Sequence, residues 1–302
     1  MLENRYVMKR VFPDLFSHYG VSKIDEYPTK LYECLQEASL SRLKRPEIVL
    51  LTPGIYNSAY YEHSYLAQQM GIDLVEGSDL IVKKNIVYKK TIEGLQKVDV
   101  IYRRIDDDYL DPEVGNPFSV IGVKGLIRAW KSKNVAIVNA PGCGIADDKA
   151  VYSYVPEMIN FYLKEEPILP SIKTFILANK NERDYVFENI KTMVTKPVAE
   201  SGGYGISIGK NLNERELLKL KRLIMKDPKN YVAQPLIDLS TSPTFRRDSL
   251  FPRHLDLRPF ILSGKHTYVT VGGLTRVALK RGSTVVNSSQ GGGSKDTWIV
   301  DA

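Results

Sequence analysis

The feature that most constrains this chain is an apolar segment that carries a lysine and runs directly into a glycine-rich loop. Lys196 lies within residues 193–198, the loop spans residues 201–205, and a second apolar segment follows at 206–208. Glycine tolerates positive φ and lets a backbone amide approach a bulky anion, because no Cβ intervenes. Successive amides of such a loop form a concave site for phosphate oxygens, and the lysine adds a positive charge. The pattern predicts an anion-binding hairpin.

The order of lysine and glycines separates this loop from the Walker type. In the Walker loop the lysine follows the glycines and the loop opens a helix. Here the lysine comes first and both flanks read as strands, so we expect a hairpin tip that lies over a nucleotide. A plain glycine-rich hairpin is the alternative if the motif is taken by itself.

Composition narrows the class of protein. The 302 residues are 43% hydrophobic and 25% charged, as in soluble globular proteins, and suffice for two domains or for one domain with a cap. No apolar run approaches the ~20 residues of a membrane span, and we expect no signal peptide. The two cysteines, Cys34 and Cys143, lie far apart, which favours a reduced, cytoplasmic protein. Neither they nor the four histidines have the spacing of a metal site, which argues against a zinc enzyme.

The net charge of +7 raises the question of nucleic-acid binding. Lys and Arg are spread along the chain, and the densest basic stretch, 210–229, alternates with acidic and leucine residues at helical spacing. Such a stretch is typical of a solvated helix face. A polyphosphate substrate also accounts for the positive charge, so nucleic-acid binding is the weaker of the two hypotheses.

The first half of the chain predicts a sheet with helices around it. Residues 1–40 have helical apolar faces, and apolar strands follow at 48–54, 71–77, 98–104 and 135–139, with a hairpin around 81–88. Strands that alternate with helices indicate a mostly parallel sheet, in which ligands gather at the carboxyl ends of the strands. Arg103 and Arg104 fall at such an end, followed at once by acidic residues at 106–108.

The second half predicts a smaller α/β segment and then a β-rich one. A helix begins after an aspartate N-cap at 147–148 and presents one apolar face. That face comprises Val151, Tyr154, Val155, Met158, Ile159 and Tyr162. The Lys196 strand, a charged helix at 214–225 and a short strand that is interrupted at Gln234-Pro235 follow. From residue 257 onward the pattern is β-rich.

The order of these features resembles the ATP-grasp fold, in which two α+β lobes hold ATP between them. Lys149 opens a helix, Lys196 precedes the glycine loop, and Gln234-Pro235 ends a strand. The stretch 256–293, with its Asp-x-Arg strand and later arginine, asparagine and glycines, is similar to the large-lobe strands of the ribosomal-protein glutamate ligases.

Longer strings make the resemblance more specific. The stretches 51–63, 102–108, 146–149 and 286–298 look like the circularly permuted ATP-grasp family related to glutathionylspermidine synthase. The resemblance covers nearly the whole chain. It implies an α/β fold with α+β lobes, namely a circularly permuted ATP-grasp fold preceded by a parallel-sheet substrate domain.

The resemblance also implies a division of the chain. We expect a helical segment at 1–44, an α/β substrate domain at 45–145, the small lobe at 146–240 and part of the large lobe at 241–302. Family members carry an additional amino-terminal string with a magnesium-binding carboxylate and asparagine. On that expectation the principal metal ligands lie outside this chain, and its metal residues stay unassigned.

The resemblance implies three groups of site residues. Nucleotide binding falls to Lys149, Lys196, Ser201, Gly202, Gly203, Gly205, Gln234, Pro235 and Leu236. Catalysis at the γ-phosphate and the acyl phosphate falls to Arg258, Arg276 and Asn287. The substrate cleft receives Asn57, His63, Arg103, Arg104, Asp106 and Asp107. Arginine forks match carboxylate oxygens in pairs, and adjacent strand residues face opposite ways, so one of the two arginines should reach the acid, and Arg103 is favoured.

Together these features predict an ATP-dependent carboxylate–amine ligase that forms an amide through an acyl phosphate, with ATP and Mg²⁺. Its partners would be small-molecule or peptide acids and amines, with neither nucleic acid nor membrane. The alternative is a non-catalytic or truncated nucleotide-binding module that acts through a partner. The identity of the two substrates and the oligomeric state lie beyond the reach of the motifs.

Overall fold

The computed structural model describes residues 1–41, 43, 45–199, 205–246, 248–280, 282–283, 286 and 291–300. It divides the chain into two compact units. The first contains Met1–Cys143, Pro259–Gly273 and Asp296–Ala302, and the second contains Gly144–Arg258 and Leu274–Lys295. The four-part division expected from the sequence stays a prediction. None of the helices in the described part of the chain combines the length and the apolarity that a bilayer span requires.

A parallel sheet forms the centre of the first unit. Its strands are β1 (Ile48–Leu51), β2 (Asp73–Val75), β6 (Val100–Arg103) and β7 (Ala136–Val138), in the order β2-β1-β6-β7 and all parallel, as the alternation of strands and helices predicted. Every residue of β1 and β6 is buried. Val49 and Leu51 enter one apolar cluster while Ile48 and Leu50 enter another, so apolar layers cover both faces.

The first unit contains helices that contribute to those layers and a short helix at 13–18 that buries no residue. They are α1 (Leu2–Val11), α2 (Pro13–His18), α3 (Tyr27–Glu37), α4 (Tyr60–Met70), α5 (Asp107–Leu110) and α6 (Leu126–Lys131). Prolines stand in the first turns of α2 and α3, where their missing N–H costs no helical hydrogen bond. Gly71 ends α4 in the left-handed conformation at φ 66°.

A three-stranded antiparallel sheet completes this part of the first unit. It contains β3 (Leu80–Lys83), β4 (Ile86–Thr91) and β5 (Gly94–Lys97). The predicted hairpin joins β3 to β4 through Lys84 and Asn85, which both have positive φ (49° and 60°). This pair of positive φ values is typical of the tight two-residue turn that suits the twist of a hairpin.

The second unit begins with a four-stranded antiparallel sheet. Its strands are β8 (Phe175–Ile176), β9 (Met193–Pro197), β10 (Ser207–Ile208) and β11 (Tyr231–Pro235), in the order β10-β9-β11-β8. Its helices are α7 (Lys149–Tyr152), α8 (Val155–Leu163), α9 (Lys180–Glu188) and α10 (Glu214–Lys226). Leu217, Leu220 and Ile224 of α10 pack into the core of this sheet. A reciprocal capping box between Asn213 and Glu216 begins α10.

The predicted helix after Asp147–Asp148 differs from the observed one. Asp148 is the N-cap, as expected, and its carboxylate accepts hydrogen bonds from the backbone N–H groups of Ala150 and Val151 at 2.8 and 3.0 Å. The helix is nevertheless divided into α7 and α8, and Pro156 stands in the first turn of α8. No residue of α8 is buried, so the apolar face expected to pack into a core is exposed or half-buried.

Four strands follow at the carboxyl end. They are β12 (Thr241–Arg246), β13 (Ser249–Ser263), β14 (Thr267–Val277) and β15 (Gly293–Trp298), in the order β12-β13-β14-β15. This agrees with the β-rich pattern of the sequence. β13 and β14 each contribute residues to both units.

Candidate functional site

Lys196 and Gln234 lie on one face of the sheet of the second unit. In the antiparallel register of β9 and β11, Val232 pairs with Lys196 and Gln234 pairs with Val194. Alternation along each strand places all four side chains on the same face, with Lys196 and Gln234 as diagonal neighbours. The Lys196 ammonium donates a hydrogen bond to Gln234 Oε1 over 2.6 Å.

A second lysine lies close to the end of the same strand. Lys149 is the first residue of α7, and its Nζ donates to the carbonyl of Val198 at 3.1 Å, directly beyond β9. Burial, and then the charge of Lys149, lower the pKa of Lys196 from its ordinary value. Two cationic side chains on different elements thus meet near the base of the glycine loop, an arrangement that attracts a polyanion.

Of the glycine loop at 201–205, the structure describes Gly205. Ser201, Gly202 and Gly203 lie outside the described residues, so their predicted contacts with phosphate stay predictions. Gly205 has φ +69°, and a Cβ there would lie 2.5 Å from Cγ of Pro197. Glycine is therefore required for the loop to return this close to β9, and β10 then pairs antiparallel with β9.

Residues 233–236, at the end of β11, were expected to bind the nucleotide and to offer backbone groups to its base. The N–H of Leu236 donates to the carbonyl of Thr192 at 2.8 Å, and Pro235 has no N–H. Neither residue offers a free backbone donor. Gln234 Nε2 donates a hydrogen bond to Thr174 Oγ1 at 2.8 Å. Thr174 was not among the site residues predicted from the sequence.

The predicted catalytic arginines of the second unit form a cluster with an aspartate. Arg276 Nε donates to Asp256 Oδ1 at 2.8 Å, and Arg276 Nη2 contacts the other oxygen of the same carboxylate. Burial and then the neighbouring Arg276 lower the pKa of Arg258, while Asp256 opposes the change. Asp256 was not predicted as a site residue, although its place two residues before Arg258 on one strand put both on one face. Asn287 lies outside the described residues.

Arg103 of the first unit is committed to its own surroundings. Its guanidinium donates to the carbonyls of Asn139 (2.6 Å), Ile105 (2.7 Å) and Ala140 (3.1 Å) and forms an ion pair with Asp107 at 2.8 Å. The side chain is 7% exposed. The sequence favoured Arg103 as the anchor for a substrate carboxylate, whereas the structure occupies its donors with protein oxygens that fasten the ends of β6 and β7.

Arg104 is the more accessible of the two arginines. It is half-buried, and its two terminal nitrogens donate to Glu62 Oε1 (2.6 Å) and to the hydroxyl of Tyr102 (3.2 Å). The partner Glu62 is largely exposed. An ion pair with a solvated carboxylate is weak, so another carboxylate can displace Glu62 at small cost.

His63 is buried and neutral. Its Nδ1 lies 2.9 Å from Thr52 Oγ1 and the residue is 2% exposed. Burial, and then the charge of Arg104, lower the pKa of His63 to about 4, with Glu62 opposing. At neutral pH His63 therefore carries no charge that would attract an acid, and it holds Thr52 at the end of β1.

The remaining predicted cleft residues are exposed near the same strand ends. Asn57 Oδ1 accepts from the N–H of Ala59 at 2.9 Å, which orders the turn before α4. Asp106 precedes α5 without a side-chain cap hydrogen bond. Asp107 accepts from the N–H of Gly142 at 3.0 Å besides its contact with Arg103.

The chain matches a known protein family over most of its length. The family model described as circularly permuted ATP-grasp type 2 matches residues 1–278. The chain belongs to this family. The ATP-grasp fold expected from the two lysines, the glycine loop and the Gln234-Pro235 strand end is thereby confirmed.

Two sequence relatives cover nearly all of this chain and are longer than it. An uncharacterised protein of Synechocystis sp. is 51% identical over 301 residues, which cover 99% of this chain and 63% of the relative. A Frankia casuarinae protein named as a candidate glutamate–cysteine ligase is 40% identical over 302 residues, with 99% and 35% covered. The chain thus spans less than two thirds of the length of these relatives.

A solved structure supports the fold of this ATP-grasp chain. The glutathione synthetase-like effector of Globodera pallida aligns with a TM-score of 0.54 at 13% identity, covering 91% of this chain and 61% of that one. At this identity the match concerns the fold alone.

Metal-ligating side chains do not cluster in the described part of this ATP-grasp chain. Within the described residues, no group of three or more His, Cys, Asp or Glu side chains could hold a metal ion. Asp256, the carboxylate of the arginine cluster, is already bound to Arg276. Mg²⁺ is usually held by one or two carboxylates together with substrate phosphates, so the metal ligands of this chain stay unassigned.

Proposed function

We propose that this chain is the nucleotide-binding part of an ATP-dependent carboxylate–amine ligase. In such a reaction a carboxylate oxygen attacks the γ-phosphorus of ATP and ADP leaves. The amine nitrogen then attacks the acyl carbon, phosphate leaves, and the nitrogen loses a proton as the amide forms. The acyl phosphate divides one difficult step into two easier ones.

The observation that carries the proposal is the convergence of Lys149 and Lys196 beside the glycine loop. Lys149 Nζ lies 3.1 Å from the Val198 carbonyl, and Lys196 lies on β9, which ends at Pro197 directly before Val198. Phosphoryl transfer depends on positioning and charge neutralisation rather than on covalent help from the protein. Two lysines and a loop of backbone amides supply both for a triphosphate. In the proposal Ser201, Gly202, Gly203 and Gly205 enclose the phosphates.

The arginine cluster suits the charge that develops during transfer. Arg276 is oriented by Asp256, and Arg258 lies close enough for its pKa to respond to Arg276. We assign both guanidinium groups, with Asn287, to the γ-phosphate and the acyl phosphate, because planar forks bind phosphate oxygens in pairs.

For the acid substrate we propose Arg104 rather than Arg103. Arg104 can exchange the exposed Glu62 for a substrate carboxylate, whereas Arg103 would have to abandon three backbone carbonyls. Asp106 and Asp107 are then candidates to attract the amine. The name of the Frankia relative favours an amino acid or peptide as the acid, in line with small-molecule or peptide substrates.

Two further parts of the proposal concern conditions rather than residues. We expect ATP to act as its Mg²⁺ complex. Cys34 and Cys143 are both free thiols, which supports a reducing, cytoplasmic setting.

Calorimetric titration of ATP tests the proposal, first with Mg²⁺ and then with EDTA. Lys196→Ala should weaken binding at least tenfold, which corresponds to about 1.4 kcal/mol. Lys191→Ala is the matched control, since Lys191 is exposed on the same unit and pairs with Glu214. Equal affinity of wild type and Lys196→Ala would overturn the assignment of the loop.

The Mg²⁺ dependence of binding, together with a phosphate-release assay, distinguishes the ligase from the alternative nucleotide-binding module. Binding that depends on Mg²⁺, followed by phosphate release when acids and amines are supplied, supports the ligase. Binding that ignores Mg²⁺, with no phosphate release, supports a nucleotide-binding module that acts through a partner.

A further inference from the structure

Three neighbouring strands place Thr174, Gln234 and Lys196 in one row. β8 pairs antiparallel with β11 so that Phe175 lies opposite Ala233, which brings Thr174 opposite Gln234. On the other side, Val194 of β9 lies opposite Gln234, and Lys196 follows two residues later. The side chains therefore share one face of the sheet, although Thr174 and Gln234 are 60 residues apart in the chain.

The directions of the hydrogen bonds along this row are determined at both ends. The hydroxyl of Thr174 donates to the carbonyl of Ile172 at 3.1 Å, so its oxygen is an acceptor toward Gln234 Nε2 at 2.8 Å. An ammonium group can only donate, so Lys196 requires the amide oxygen, 2.6 Å away. Both neighbours thus select the same orientation of the Gln234 amide.

Burial makes this orientation matter. Gln234 is 9% exposed, so water does not replace a lost partner. Within the described part of the chain, Gln234 supplies the one acceptor for Lys196 Nζ. The other nearby cation, Lys149, is held separately by Val198.

We infer that Gln234, itself oriented by Thr174, is a positioning residue that fixes the Lys196 ammonium toward the phosphates. The inference rests on the proposed nucleotide site and adds Thr174, which directly precedes β8 and lies outside the lysine and glycine motifs. Gln234 acts through Lys196 here, and Thr174 acts through Gln234.

The arrangement affects the protonation of Lys196 in a defined direction. An acceptor oxygen stabilises the ammonium form, so losing it lowers the pKa of Lys196 further, while a carboxylate in its place raises that pKa. Thr174→Val keeps the side-chain shape but removes the acceptor that orients Gln234. Thr174→Ser retains the acceptor.

Lysine side-chain NMR on the whole chain without nucleotide tests the inference. The ¹³Cε shift of Lys196, assigned by its absence in Lys196→Arg, is followed through a pH titration. We expect the pKa of Lys196 to fall by about 1 unit, a tenfold change in proton affinity, in Gln234→Leu. It should fall by less in Thr174→Val, return in Thr174→Ser and rise in Gln234→Glu. Thr192→Val is the matched control, since Thr192 is exposed and bonds to Asn189 instead.

Two results would overturn the inference. One is an unchanged Lys196 titration in folded Gln234→Leu and Thr174→Val, and the other is a change in Thr174→Val that Thr174→Ser fails to restore. ATP affinity is measured on the same variants and should fall about tenfold in Gln234→Leu. If the titration shifts as expected while wild type fails to bind ATP, the row still positions Lys196 and the proposed function is the part that fails.

Discussion

Asp256 holds Arg276 through both carboxylate oxygens, with the Nε–Oδ1 distance at 2.8 Å and a second contact between Nη2 and Oδ2. Asp256 lies on β13 and Arg276 on β14, and their side chains are 29% and 18% exposed, respectively. A two-point contact of this kind fixes the plane of the guanidinium, which a single contact would leave free to rotate. Arg258 lies two residues after Asp256 on the same strand, and the charges of both Arg276 and Asp256 influence its pKa.

Asp256→Asn should therefore reduce ATP affinity by about tenfold while leaving ADP affinity unchanged. The amide presents an N–H toward Arg276, so the guanidinium loses its orientation toward the γ-phosphate, which ADP lacks. Parallel calorimetry with ATP and ADP measures the difference. Asp248→Asn, on an exposed turn of the same unit, is the control. An equal loss for both nucleotides would argue against a role at the γ-phosphate.

Gly205→Ala should destabilise the chain by about 2–3 kcal/mol and weaken ATP binding. The added Cβ meets Pro197 at 2.5 Å in a backbone with φ +69°. Gly20→Ala separates the two causes, because Gly20 has φ +57° with nothing within 4 Å of its Cβ. The control should lose about 1 kcal/mol in urea unfolding. Equal losses at the two positions would show that the Pro197 contact contributes nothing.

Arg103→Ala and Arg104→Ala should differ in kind. Removing Arg103 leaves buried carbonyls without donors and should lower the free energy of unfolding by about 2–4 kcal/mol. Removing Arg104 breaks a partly exposed ion pair and should cost less than about 1 kcal/mol. Arg104→Ala should instead raise the KM for the acid substrate. Denaturant unfolding of both variants checks the contrast, and a stable Arg103→Ala would restore Arg103 as the substrate anchor.

The stability of the chain should fall as pH decreases from about 6.5 to 4. His63 has a folded pKa of about 4 against 6.5 for the free side chain, so in this window the unfolded state binds a proton that the folded state excludes. The effect amounts to at most about 3 kcal/mol. Thermal unfolding as a function of pH should lose this slope in His63→Gln and keep it in His18→Gln, since His18 is exposed. A slope that survives in His63→Gln would assign it to carboxylates.

The elements that carry the site could be predicted because their patterns are local. The Lys196 strand, the charged helix predicted at 214–225 and observed at Glu214–Lys226, and the end of β11 at Pro235 follow from the spacing of apolar residues and from proline chemistry. The Asp148 cap follows from the preference of a helix N-terminus for a carboxylate. The exposed surface of α8 was not predicted, because periodicity identifies an apolar face without stating what covers it.

What the sequence by itself determined is the ATP-grasp order of lysine, glycine loop and strand end, since each is encoded within a few neighbouring residues. The tertiary structure alone decided which polar atoms meet. It bound Arg103 to the carbonyls of Asn139 and Ala140, 36 and 37 residues away, and joined Thr174 to Gln234 across 60 residues. Hydrogen bonds act over about 3 Å, whereas residue patterns report only which way a side chain faces along its own element.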